Sequence, residues 1–364
     1  MIGSKFAARA QSGVLYLLIV IAGGMLFFVM VGGYGCSSEK CRLVAMRRSG
    51  QQVLPEQTKT TVCKKIPVIF DTDIGDDIDD TWALAFLLGC PELDVKLITT
   101  EMSDTQPRVK IVARMLAIAG RTDIPIGTGI PCGKSDRGHN QDLWVANYEL
   151  SSYPGRIYQD GVQAIIDTIM RSAEPVTVIA VGPLPNIAEA LRREPAIAQK
   201  ARFVGMHGSI RRGYGGTDKP GAEYNVAAVV EAAQKVFTAD WDMTITPLDT
   251  CGIVKLGGEK YQQVLGSSRP LARAVIENYR VWMNTRRQLM QNVYDVNKTS
   301  STLYDTVAVY LALSTELVET EHLPIRVTDD GYTVIDARGK DISCAVEWKD
   351  LESFKSLLVE RLTK

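Results

Sequence analysis

The stretch "PVIFDTDIGDDIDDTWALAFLLG", residues 67–89, decides how the chain is read. An apolar, β-branched run ends at Phe70, and an apolar helical pattern begins at Thr81. Between them lie six aspartates in ten positions: Asp71, Asp73, Asp76, Asp77, Asp79 and Asp80. One or two acids at a helix start satisfy free backbone N–H groups and complement the helix dipole. Capping accounts for Asp79 or Asp80 but not for six, because neighbouring carboxylates repel unless a cation neutralises them. A dense all-oxygen donor set suits a hard divalent ion, calcium or magnesium. The loop is not an EF-hand, which needs a closing Glu where this chain is already helical. Nor is it an aspartyl phosphatase loop of the form D-x-D-x-[TV], since Gly75 holds the final position.

Outward from this loop the chain alternates two kinds of segment. Strand-like runs appear at 66–70, 95–100, 176–181, 201–206 and 243–248. Helical patterns lie between several of them, at "PRVKIVARMLAIAG", "GVQAIIDTIMRSA", "LPNIAEALRRE" and "AAVVEAAQKVF". Runs apolar on both faces, separated by amphipathic helices, predict a mostly parallel Rossmann-like α/β sheet covered on each side. Ligands in such folds bind beyond the carboxyl ends of the strands, which is where the aspartates sit. The segment "IRVTDDGYTVIDARGK" predicts a small C-terminal hairpin turning near Asp330-Gly331, with a last helix from about Lys349.

Composition excludes other classes. With 46% hydrophobic and 23% charged residues the chain can bury a core and is not disordered. A net charge of −1 gives no footprint for nucleic acid. Seven scattered cysteines form neither a zinc pattern nor a disulfide framework.

The aspartate loop resembles the signature of the nucleoside hydrolase superfamily, the inosine-uridine-preferring type: D-x-D-x-G-x-D-D before a helix rich in Ala and Leu. The acidic pair here comes two residues later than in that pattern, so Asp77 and Asp79 both stand as candidates for one role. Later segments resemble the family in the same order across about 65–350. "GPLPN" has Pro185 where Thr is usual, "PGAEYN" carries Glu223 and Asn225, and "LYDTVAV" carries Asp305. The family's G-N pair reads Ser103-Asp104.

The resemblance implies a calcium-dependent N-ribosyl hydrolase that cleaves ribonucleosides to ribose and free base, as in purine and pyrimidine salvage. Asp73, Asp80, Asp305 and the Pro185 carbonyl would hold Ca2+, which lowers the pKa of bound water and orients the sugar diol. Asp79 or Asp77 would take the water's proton. Asp104, Glu223 and Asn225 would bind ribose hydroxyls, with Met206 and His139 as further pocket residues. Trp144 and Tyr148 could stack on a base. Tyr304 stands where the family has a His associated with protonating the base. It is either a proton donor, since a free Tyr with pKa about 10 is protonated at neutral pH, or a pocket wall. The alternatives are a hydrolase of another ribosyl compound and a non-catalytic, membrane-anchored ribonucleoside-binding protein. Family members are often homodimers or homotetramers.

The N-terminus carries an extra feature. Val14 to Gly35 holds 22 uncharged residues after Lys5 and Arg9, and Cys36 follows at once. That length predicts a hydrophobic helix, as an uncleaved membrane anchor or a lipoprotein-type signal with Cys36 lipidated. The domain reading is therefore 1–36 anchor or signal, 37–62 polar tether and 63–364 catalytic domain. Association with a membrane follows, with the exported side favoured.

Overall fold

The computed structural model describes residues 16–22, 25–31, 64–132, 139–287 and 293–364. The chain divides into two units, Met1–Thr60 and Thr61–Lys364. In the first, strands β1 (Tyr16–Ala22) and β2 (Met25–Val31) pair antiparallel, Tyr16 opposite Val31 and Ala22 opposite Met25. This differs from the hydrophobic helix expected over 14–35. Both runs are rich in Val, Ile, Phe and Tyr, which favour strands, and the Gly-Gly between them is a hairpin signature. Hydropathy alone does not separate that pattern from a spanning helix. Among the described residues no helix is long and apolar enough to cross a membrane. Cys36 and the stretch 37–62 lie outside the described residues.

The second unit is built on a ten-stranded sheet. In chain order its strands are β3 (Ile66–Thr72), β4 (Leu93–Thr100), β5 (Ile126–Thr128), β6 (Ile157–Tyr158), β7 (Val176–Ala180), β8 (Ala201–Met206), β9 (Met243–Thr246), β10 (Val318–Val327), β11 (Thr333–Ile335) and β12 (Lys340–Trp348). They lie in the order β11-β10-β12-β9-β8-β7-β3-β4-β5-β6. Every pairing from β12 to β6 is parallel, and β10 runs antiparallel to both of its neighbours. Strands β3, β4, β7, β8 and β9 fall on the five predicted runs. Strands β5 and β6, of three and two residues, are too short to carry a periodic signal. The β10–β11 hairpin turns through Gly331 at φ 82, and the last helix runs Leu351–Thr363.

The order of connections places the site. After β3 the chain builds β4, β5 and β6 on one side, then returns to lay β7 on the other. The crevice beyond the carboxyl ends of β3 and β7 is thus a topological switch point. Two helices packed beneath it, Asp79–Leu88 and Thr306–Leu313, are buried along almost their whole length. Their sequences, "DDTWALAFLL" and "TVAVYLAL", are apolar all round, the pattern of a helix with no solvent face. Trp82 sits in the core, with ring centroids 6.4 Å from both Tyr261 and Tyr279.

Candidate active site

Both buried helices begin in acid. Asp79 and Asp80 open the first, and Asp305 is the N-cap of the second. The Asp305 backbone N–H donates to Asp79 Oδ2 at 3.4 Å, joining residues 226 positions apart. Carboxylate oxygens of Asp79, Asp80 and Asp305, all buried, lie within 4.8 Å of one another. Helix N-termini carry positive partial charge and favour anions, but not three at this spacing without help. Burial first, then the neighbouring carboxylates, pushes all three well above the ordinary carboxylate range. Asp73 is raised to about 7 by burial, against the opposing charge of Arg108. Buried oxygens in a repelling cluster are the donor set that a hard divalent cation fits.

The loop itself is clamped. Gly75 takes φ 117, a conformation side chains resist. The buried Arg108 donates through Nη1 to the Ile74 carbonyl at 2.8 Å and through Nε to that of Met102 at 2.9 Å. The two residues beyond the family pattern, Asp76 and Asp77, are tied to distant segments. Asn140 Nδ2 and Trp282 Nε1 donate to the Asp76 carbonyl at 3.0 and 2.9 Å, and Gln141 Nε2 donates to that of Asp77 at 2.6 Å.

Behind the loop lie two more buried acids. Asp71 Oδ1 accepts from the Thr99 hydroxyl and from Asn186 Nδ2, and burial raises Asp71 to about 6. Glu101 is buried with no hydrogen-bond partner for either oxygen among the described residues. Burial, then Asp71 and Asp73, holds it well above its ordinary value.

A cavity of about 280 Å³ opens over the acidic cluster, at the small end of ligand sites. Asp73, Asp77, Asp79, Asp80, Met206, Glu223, Asn225, Tyr304 and Asp305 all line it. Asn225 spends both amide hydrogens on the Val181 and Met206 carbonyls, at 2.9 and 3.0 Å. What remains to it is one acceptor oxygen. Glu223 accepts from the backbone N–H groups of Asn225, Gly208 and Val226 at 2.8, 3.0 and 3.3 Å, and burial raises it to about 7. The half-buried Tyr304 phenol is held above its ordinary value by burial and then by Asp79, so it keeps its proton.

Five candidates from the sequence do not line this cavity: Asp104, His139, Pro185, Trp144 and Tyr148. Asp104 is exposed and caps a helix, accepting the Gln106 N–H at 3.0 Å. His139 Nδ1 lies 2.8 Å from Asp142 Oδ2. Pro185 opens the helix Pro185–Arg193, with its side chain buried. Trp144 and Tyr148 line a different surface hollow, where Arg114 sits 4.2 Å over the Trp144 ring. Asp77 is exposed at the mouth, its Oδ1 accepting the Ile78 N–H at 2.8 Å. The buried His207 is also outside the lining; its Nε2 lies 3.0 Å from the Gly182 carbonyl.

Sequence reasoning missed Tyr214, Tyr224 and Arg286 in the lining. Tyr214 meets Tyr304 edge to face, centroids 6.2 Å apart and planes at 81°. An aromatic alone in the glycine-rich stretch "RRGYGGTDK" was the available signal for Tyr214.

The family model for the inosine-uridine preferring nucleoside hydrolase matches residues 68–358. The chain belongs to that family. As a nucleoside hydrolase it is an enzyme acting on N-glycosyl compounds. It is similar to the pyrimidine-specific ribonucleoside hydrolase RihA of Citrobacter koseri, 28% identical over 82% of this chain and 98% of that one. The non-specific ribonucleoside hydrolase RihC of Klebsiella pneumoniae is 31% identical over 59% of this chain and 73% of its own. Among solved structures, the plant nucleoside hydrolase PpNRh1 superposes with a TM-score of 0.68 at 24% identity, covering 82% of this chain and 99% of that chain. The purine-preferring ribonucleoside hydrolase of Gardnerella vaginalis gives 0.68 at 20%, covering 82% and 98%. At those identities the two structures speak for the fold alone.

Proposed function

We propose that this nucleoside hydrolase cleaves the N-glycosidic bond of ribonucleosides to ribose and free base, with calcium as its metal. The buried trio Asp79, Asp80 and Asp305, under a cavity that also presents Glu223, Asn225 and Tyr304, carries this reading. The ribonucleoside specificities named for RihA and RihC support the substrate class. Asp73, Asp80 and Asp305 would hold the ion, which when bound lowers the pKa of water and orients vicinal hydroxyls.

The chain's own side chains supply the rest. Asp79 takes a proton from the attacking water as the water oxygen bonds to the anomeric carbon and the bond to the base breaks. Asp79 suits this better than Asp77, because it sits inside the acidic trio while Asp77 is exposed and engaged on Ile78. Asn225 accepts a ribose hydroxyl hydrogen at its one uncommitted oxygen, and Glu223 has one lone pair left for another. The Tyr214–Tyr304 pair walls the base end. Relatives named as pyrimidine-specific, non-specific and purine-preferring show that one scaffold serves several bases.

The test is hydrolysis of p-nitrophenyl riboside and a panel of ribonucleosides by the metal-stripped protein, before and after calcium is restored. Turnover that returns with calcium is expected. No turnover of any ribosyl compound with calcium present would overturn the proposal.

A further inference from the structure

Among the described residues, the cavity's acidic floor faces a single cation in its lining, Arg286. This side chain is half-buried, and its Nη1 stands 3.7 Å from Asp76 Oδ1, beyond hydrogen-bond reach. That Asp76 oxygen already accepts from Asn140 Nδ2 at 2.8 Å. Arg286 Nε is buried with no hydrogen-bond partner among the described residues. The guanidinium lies 5.7 Å from the Trp282 ring centroid, and Trp282 is itself pinned through Nε1 to the Asp76 carbonyl. So the charge is held in place, yet its Nε–H is uncommitted among the described residues.

Its position relative to the base end follows from the wall it belongs to. Trp282 packs on Tyr294 with centroids 6.2 Å apart, and the Tyr294 hydroxyl lies 3.2 Å from Thr302 Oγ1, two residues before Tyr304. Glu223 and Asn225 belong instead to the wall formed with Val181 and Met206. Arg286 therefore shares the Tyr304 wall, away from the groups assigned to the ribose.

We infer that Arg286 stabilises the departing base as an anion, by charge and hydrogen bonding rather than by proton donation. This rests on the hydrolase reading above. The bond between the anomeric carbon and the base nitrogen breaks with its electron pair on the base. In a base with a carbonyl beside that nitrogen the pair spreads onto the carbonyl oxygen, where guanidinium donors can meet it. The water's proton goes to Asp79, and the base anion takes its own proton from solvent after release. A guanidinium cannot give up a proton at neutral pH, so its whole contribution is electrostatic. The substrate class that gains most is the nucleosides of 2-oxo pyrimidines.

The experiment compares wild type, Arg286→Gln and Arg286→Lys on uridine and on p-nitrophenyl riboside, whose leaving group needs little stabilisation. Removing one charged donor from a developing anion costs about 100-fold in kcat or more. Arg286→Gln is expected to lose about that on uridine and under about fivefold on p-nitrophenyl riboside. Arg286→Lys, which keeps the charge, is expected to recover at least about tenfold of the uridine loss. Across phenyl ribosides of graded phenol acidity, kcat should depend more steeply on acidity in Arg286→Gln than in wild type. Equal losses on both substrates, unchanged uridine turnover, or a lysine variant no better than glutamine would each overturn the inference and leave the hydrolase reading standing. A wild type silent on both substrates with calcium present would overturn both.

Discussion

Replacing Asp80 by asparagine should make the metal-free protein more stable while removing its response to calcium. Oxygens of Asp79, Asp80 and Asp305 lie within 4.8 Å of one another. At an effective dielectric of about 20 each ionised pair repels by about 3–4 kcal/mol, and Asp80 belongs to two of the three pairs, a ceiling of about 7 kcal/mol. The cluster relieves part of this by holding protons, since all three carboxyls are pushed upward by burial and by one another. The gain left for asparagine is about 1–3 kcal/mol at neutral pH, a rise of a few degrees in Tm. Asparagine can still accept the Thr72 hydroxyl that Asp80 accepts, so that contact is kept. The assay is thermal denaturation of both proteins in chelator and in calcium. Wild type should melt higher with calcium; the variant should exceed wild type in chelator and shift little when calcium is added. A variant that melts below wild type in chelator would show that the three carboxylates do not repel one another, and one that keeps the full calcium shift would show that Asp80 is not a ligand.

Other perturbations probe His207, the buried acids behind the loop and the cavity wall. Burial lowers His207 to about 4, so the folded state refuses a proton that the unfolded chain accepts below about 6.5. Its contribution to stability is intact above 6.5 and lost as pH falls toward 4, by about 3 kcal/mol. Urea titrations of wild type and His207→Phe at pH 7.5 and 4.5 should show their stability difference changing with pH, and a constant difference counts against this. Asp71 and Asp73 act with the opposite sign: raised to about 6 and about 7, they make metal-free wild type gain stability as pH falls from about 7 toward 4. Gly182→Ala would put a Cβ 2.9 Å from the Asp73 nitrogen and 2.6 Å from Glu101 Oε1. It should cost about 1–3 kcal/mol and weaken calcium binding in a direct titration; unaltered affinity would mean Asp73 is not a ligand. Glu223→Gln leaves one acceptor oxygen for backbone donors that now share two, and should lower ribonucleoside kcat/KM by about tenfold or more.

The parallel sheet was legible because β3, β4, β7, β8 and β9 are mostly buried and read as short apolar, β-branched runs. The residues gathered in the cavity come mostly from motifs whose order along the chain matches the family's. What could not be read was local competition. Asp104 looked like a ribose ligand, but an exposed acid before a helix also caps it, and the cap is the contact found here. Arg286 ends a helix whose last turn is a normal place for a cation, so nothing in "WMNTRRQ" separates it from a solvated charge. Its place in the cavity depends on Trp282 and Asp76, residues 206 positions apart that only the fold joins. The N-terminal run fits a helix and a hairpin equally on hydropathy, and the structure has strands there.

The ties on the aspartate loop bear on how the protein is made. Asp73 to Asp80 leave the ribosome first, but Asn140, Trp282 and Asp305, which hold or complete the cluster, follow as many as 226 positions later. A nascent chain therefore carries the loop's charge long before it can pair the loop with its partners. Tight cation binding becomes a late event, and cation affinity serves as a gauge of whether the last third of the chain has docked.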